Sequence, residues 1–205
     1  MTPKELYSHL ESVYPQTQYS LCDLHELCQG QKKCQVLITA SVLNFDKIKE
    51  EFDIQNGYTK NGSFEHKSVD AVCYTDARFC FVELKGWVRV LEGKQVYYRI
   101  DAAMQVERYD LKRKFEDSQY ICSCIMDTPN LFLSVPNIFI LVTDIAVEED
   151  AMGYIAENLF ALAQTTSQWH PYCNQAMVDH LKKQLPSVEK YYICCQNFDA
   201  FIRTL

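Results

Sequence analysis

The chain has 205 residues, enough for one domain with a sizeable core. Its 20 Lys and Arg against 27 Asp and Glu give a formal net charge of −7, which excludes nucleic-acid binding through overall charge but leaves room for a local basic groove. Gly and Pro are scarce at six each, which excludes a Pro/Gly-rich disordered chain.

Thr2, Pro3 and Glu5 form a helix start, with Thr2 as N-cap and Glu5 reaching back. Leu6, Leu10 and Val13 continue it as a helical stripe that stops before Pro15. "LCDLHELC" reads as a second short helix. "CQVLITASV" (34–42) is β-branched and reads as a strand. "NFDKIKEEF" (44–52) reads as a helix capped by Asn44, and the two Asn-Gly pairs of "NGYTKNGS" mark turns. Strands are expected at about 67–74 and 79–85, joined by "TDAR". A loop or small hairpin follows at "VLEGKQV" (90–96). A helical pattern runs from about Arg99 to Cys122, and "NIFILVTDI" (137–145) reads as a buried strand. "EEDAMGYIAENLFALAQT" (148–165) is an amphipathic helix by its apolar spacing. "WHPYC" reads as a loop, and the tail as a helix at 175–184, the strand "YYICCQ" and a last short helix. No repeat or linker interrupts this order, so a single α/β domain over 1–205 is the economical reading.

The stretch "DAVCYTDARFCFVELKGW" (70–87) carries the chemistry. Side chains alternate along a strand, so Phe79, Phe81, Glu83 and Lys85 share one face, and Cys80, Val82 and Leu84 share the other. If the preceding strand returns antiparallel through "TDAR", Asp70 comes to lie near Glu83 and Lys85 across the ladder. Two carboxylates and an ammonium then meet at one sheet edge. Hard carboxylate oxygens suit Mg²⁺, which keeps several waters and accepts phosphate oxygens. Such a metal polarises a phosphate and lowers the pKa of a bound water, and a neighbouring lysine positions that water. Glu-x-Lys alone is short and is most often a surface ion pair. Twenty residues on, Gln105 and Tyr109 of "QVERY" stand four apart, which places them on one helix face. Arg108 and Lys112 extend nearly the same side.

The ordered set of Asp70, "ELK" at 83–85 and "QVERY" at 105–109 resembles the PD-(D/E)XK nuclease superfamily, in its RecB-like branch. The resemblance covers about residues 20–145. It implies a restriction-endonuclease-like α-β-β-β-α-β core, a mixed central sheet flanked by helices, with "NIFILVTDI" as the last strand and 146–205 as α/β decoration. It further implies that Asp70, Glu83 and the Leu84 carbonyl hold Mg²⁺ or Mn²⁺, and that Lys85 positions the attacking water. Gln105 and Tyr109 would orient the lysine or contact the DNA backbone. Arg108, Lys112, Arg113 and Lys114 could meet phosphates, and Trp87 could stack on a base. The family's acid or His on the first core helix has several candidates here: Glu50, Glu51, Glu26, His25 and His66. The proline before the first acid is absent, since Val69 precedes Asp70.

Ten cysteines without an export signal point to free thiols in a reducing cytoplasm. Cys22, Cys28 and Cys34 upstream, with Cys173, Cys194 and Cys195 downstream, do not match the iron–sulfur arrangement of some RecB-like nucleases, so no such cluster is expected. A Cys173–His170 nucleophile pair has no supporting motif. No membrane span is expected. The expected partner is nucleic acid, DNA rather than RNA, and a protein partner or homo-oligomer that completes the DNA surface stays open. The alternative function is a catalytically inactive nuclease-fold module that binds a protein or nucleic-acid partner. The acidic balance favours it, and the retention of Asp70, Glu83 and Lys85 together speaks against it.

Overall fold

The computed structural model describes residues 1–24, 38–87, 99–145, 147 and 169–205. Helix α1 (Pro3–Val13) starts with the expected capping box: Thr2 Oγ1 accepts from the Glu5 N–H, and Glu5 reaches back to the Thr2 N–H. Strand β1 (Gln18–Ser20) and the single turn α2 (Leu21–Leu24) follow. Strand β2 is confined to Ser41–Asn44. It starts later than the sequence pattern suggests because the Asp199 carboxylate takes the N–H groups of Thr39 and Ala40, at 2.7 and 3.0 Å. Asn44 then caps helix α3 (Phe45–Gln55), accepting from the Lys47 N–H. Both Asn-Gly pairs are turns. Gly57 has φ +73° just past α3, and Asn61 and Gly62, at φ 52° and 76°, join β3 (Thr59–Lys60) to β4 (Ser63–Phe64).

Strand β5 is Ala71–Tyr74, shorter than expected. Residues 67–70 stay out of the ladder because their donors are taken by helix side chains: Lys67 N–H by Asp117, and Val69 N–H by Ser118. After the turn closed by Thr75, strand β6 runs over Phe79–Lys85. The pattern at 99–122 splits in two, into α4 (Arg99–Val106) and α5 (Leu111–Ile125). Asp110 caps α5 by accepting from the Arg113 N–H, and His180 Nε2 meets the Tyr109 carbonyl at 2.6 Å. An Asp that can cap competes with continuation of the helix. Strand β7 (Asn137–Thr143), helix α6 (Trp169–Gln184), strand β8 (Lys190–Cys194) and helix α7 (Phe198–Thr204) complete the order. "WHPYC", expected as a loop, is the first turn of α6. The expected elements at 90–96 and 148–165, with 25–28 and 34–37, lie outside the described residues.

The strand order is β1-β2-β5-β6-β7-β8. The first three pairings are antiparallel; β6–β7 and β7–β8 are parallel. The alternation read from "FCFVELK" holds. Phe79 and Phe81 pack with Leu6, Phe45, Leu111, Phe115 and Met177, from α1, α3, α5 and α6. Cys80, Val82 and Leu84 face the opposite layer with Leu21 and Phe198, from α2 and α7. Helices therefore cover both sides of a mixed six-stranded sheet, and burial of these large apolar groups drives the assembly. Among the described residues, no helix is long and apolar enough to cross a membrane.

Candidate active site

The register of the β5–β6 hairpin builds the site. Ala71 pairs with Val82, so Asp70, one residue earlier, stands opposite Glu83. Asp70 Oδ2 accepts the Leu84 N–H at 2.6 Å, which fixes the carboxylate and leaves Oδ1 facing Glu83's side of the sheet. The Asp70 carbonyl accepts the Phe45 N–H at 3.0 Å. That bond docks the first turn of α3 on the head of β5 and brings Asp46 beside Asp70.

Glu83 is fully buried (0 % exposed) and is met by two ammoniums. Lys85 Nζ lies 2.5 Å from Oε1. Lys114 Nζ, from the first turn of α5, lies 2.7 Å from Oε1 and 3.0 Å from Oε2. Lys114 also reaches to 3.7 Å from Asp70 Oδ1. Burial, with the Asp70 charge beside it, pushes the Glu83 carboxyl up to about 7 against the pull of the two lysines. Burial pulls Lys85 down, but Glu83 and Asp70 outweigh it and hold the ammonium above its ordinary range. Asp46 is raised by burial and then by Asp70, while its hydrogen bond from Ser68 Oγ, at 2.5 Å, works the other way. The Tyr109 ring centroid lies 5.0 Å from Lys85 Nζ, a cation–π contact that restrains the lysine.

Lys85, Lys114, Tyr109 and Asp46 lie on the wall of a cleft of about 340 Å³ whose lining also includes Lys49, Lys67, Arg108 and Asp110. Asp70 and the fully buried Glu83 are not among its lining residues and lie behind the two lysines. An acidic chain thus concentrates positive charge at one depression. Beside it, the fully buried Asp53 holds His66 Nδ1 at 2.6 Å, and Tyr120 stacks on the His66 ring at 5.3 Å.

Several expected site residues fall elsewhere. Trp87 is 1 % exposed and packs in the core, so its ring is not open to a base. Tyr109 lies in the break after α4 rather than on one helical face with Gln105. Gln105 is half-buried on α4 and is not among the residues lining the cleft. Lys112 pairs with Glu116 at 3.8 Å on the outer side of α5, and Arg113 pairs with Asp117. Arg108 and Lys114 do line the cleft. Among the candidates for an additional acid or His, Glu51 is exposed, Glu50 is half-buried away from the cleft lining, and His25 and Glu26 lie outside the described residues. His66 lines the cleft but is committed to Asp53. Asp46, which is none of these candidates, lines the cleft, feels the Asp70 charge and accepts from Ser68 Oγ. Asn44 at the N-cap was the available signal for it, because the cap sets Asp46 in the first turn of the helix that meets Asp70.

Among the described residues, no three His, Cys, Asp or Glu side chains gather closely enough to hold a metal ion. The Asp70–Glu83 pair still fits Mg²⁺ or Mn²⁺. Its oxygens converge on one position that already accommodates a cationic group, and Mg²⁺ commonly takes one or two carboxylates and keeps its waters. Comparisons with protein-family models, curated proteins and solved structures found no match to this chain.

Proposed function

We propose that this protein is a metal-dependent nuclease of the PD-(D/E)XK type that hydrolyses phosphodiester bonds of DNA. One observation carries the reading. Asp70 and Glu83 converge on a single cation position, with Lys85 beside it, behind the wall of a cleft lined by Lys49, Lys67, Lys85, Arg108 and Lys114. The two antiparallel strands, helical crossover and parallel strand after α3 support the reading. The main sheet nevertheless has one strand fewer between the helices than the expected α-β-β-β-α-β core, because β3 and β4 form a separate hairpin.

Asp70 and Glu83 would hold the ion, which supplies Lewis-acid polarisation of the scissile phosphate. Lys85, held by Glu83 and by the Tyr109 ring, presents an ammonium where negative charge develops on the attacked phosphate. Lys49 and Arg108 fix the DNA backbone through its phosphates and carry no sequence information. The test is cleavage of single- and double-stranded DNA, linear and circular, with Mg²⁺ or Mn²⁺. Wild type should cut, and Glu83→Ala and Lys85→Ala should not. Normal cutting by either variant would remove the site assignment.

A second reading has its own observation. Lys114 and Lys85 already balance the carboxylate pair, as they would in a nuclease-fold module that binds a partner without metal. Absence of cleavage on every substrate, with no Mn²⁺ binding, would favour it.

A further inference from the structure

The position on which Asp70 and Glu83 converge is filled by a side chain of this same chain. Lys114 Nζ makes two contacts with Glu83 and one with Asp70, and Lys85 shares Glu83 Oε1 with it. Two carboxyl groups face two ammoniums, so the cluster has no excess of negative charge as it stands. Asp46 and Lys49 on α3 add one charge of each sign nearby. A divalent ion added to this arrangement would place like charges a few ångströms apart in a half-dry site, where repulsion is poorly screened. The carboxylates cannot serve the ion and Lys114 at once. Lys114 sits in the first turn of α5 on a four-carbon stem and is partly exposed on the cleft wall. Rotation about that stem carries its ammonium into the open cleft with no change in the backbone.

We propose that Lys114 is an internal counter-ion that competes with the divalent cation for Asp70 and Glu83, and that cation binding releases it to meet a substrate phosphate. The inference rests on the reading of Asp70 and Glu83 as a metal site. It makes cation loading and phosphate capture a coupled event: the ion that enters frees the ammonium that binds the next anion. Lys114 is a positioning residue in the metal-free protein and a phosphate contact once displaced. A purely structural clamp between α5 and β6 would behave differently, since its loss could only loosen the metal site.

The experiment measures Mn²⁺ affinity by electron paramagnetic resonance on the full chain without DNA, for wild type, Lys114→Met and Glu83→Gln. With the competitor removed, Lys114→Met should bind Mn²⁺ about tenfold more tightly or better, because the site no longer spends most of its time closed by the ammonium. Glu83→Gln should lose binding. A second readout uses wild type alone, so it does not depend on the variant folding. Acylation of Lys114, followed by mass spectrometry of its peptide, should speed up several-fold when Mn²⁺ saturates the protein. Equal or weaker Mn²⁺ binding by a folded Lys114→Met, or unchanged acylation on Mn²⁺ binding, overturns the competition and leaves the nuclease reading standing. Absence of Mn²⁺ binding by both wild type and Lys114→Met overturns the competition and the metal reading together.

Discussion

Asp70 Oδ2 accepts the Leu84 backbone N–H at 2.6 Å, so the first acid of the site is also a bond between two strands. Its two oxygens have separate tasks, one holding β6 and the other facing Lys114 at 3.7 Å. Substitution should separate these tasks. Asp70→Ala leaves the Leu84 N–H without its partner and should cost about 1–3 kcal/mol in urea denaturation. Asp70→Asn keeps a side-chain acceptor and should retain most of that stability. Both should lose Mn²⁺ binding. An Asn variant as unstable as the Ala variant would show that the charge, not the hydrogen bond, holds the strands.

Glu83 gives the metal-free protein a pH dependence of defined sign. The folded protein holds this carboxyl at about 7, raised from an ordinary value of 4.5, mainly by burial. Between those values the folded state keeps a proton that the unfolded chain has lost. The contribution is therefore complete below the lower value and is lost as pH rises through the upper one. In EDTA, wild type should lose up to about 3 kcal/mol from this group between about pH 4.5 and 7, and Glu83→Gln should lack that slope. Parallel slopes for the two proteins in urea titrations would contradict the assignment.

Tyr109 acts on Lys85 through its ring face, with the centroid 5.0 Å from the ammonium. Tyr109→Phe keeps the ring and should lose less cleavage than Tyr109→Ala, which should fall by about tenfold or more in kcat. Equal losses in the two variants would assign the role to the hydroxyl.

The basic lining of the cleft should appear in salt dependence. Lys49→Gln and Arg108→Gln should each lower DNA affinity and flatten the slope of log K against log salt by about 0.9. Lys112→Gln is the control, because Lys112 pairs with Glu116 outside the cleft. Fluorescence anisotropy across a salt series measures all three, and a slope unchanged in the first two variants would place DNA elsewhere.

Much of this arrangement was legible in local pattern. The period of two in "FCFVELK" assigned each side chain of β6 to its face, and the "TDAR" turn set Asp70 opposite Glu83. Asn44 announced α3. Asp46 and Lys114 were harder, because each sits in a charged run that on spacing alone reads as a solvated helix face. What singles them out is docking. A backbone bond from Phe45 to Asp70 aims α3, and the break before Asp110 re-aims α5. That break was itself hidden, since 99–122 contains no Gly or Pro, and it depends on His180, seventy-one positions away from the carbonyl it meets. Trp87 stayed open between two readings for a related reason. A large aromatic after a motif is equally suited to a base or a core, and here its backbone N–H is tied to Asp144 at 2.5 Å and its ring is enclosed.

The four charges of the site come from two separate parts of the chain. Asp70, Glu83 and Lys85 belong to one hairpin, which forms from neighbouring segments at small loop-closure cost. Lys114 belongs to α5, in the crossover between β6 and its parallel partner β7. Without α5, Glu83 has one ammonium and open water, and closing α5 over it seals the carboxylate from solvent only as it delivers the second ammonium. Docking of α5 therefore buries Glu83 and delivers its second ammonium together, so the helix contact and the charge balance of the site stand or fall as one.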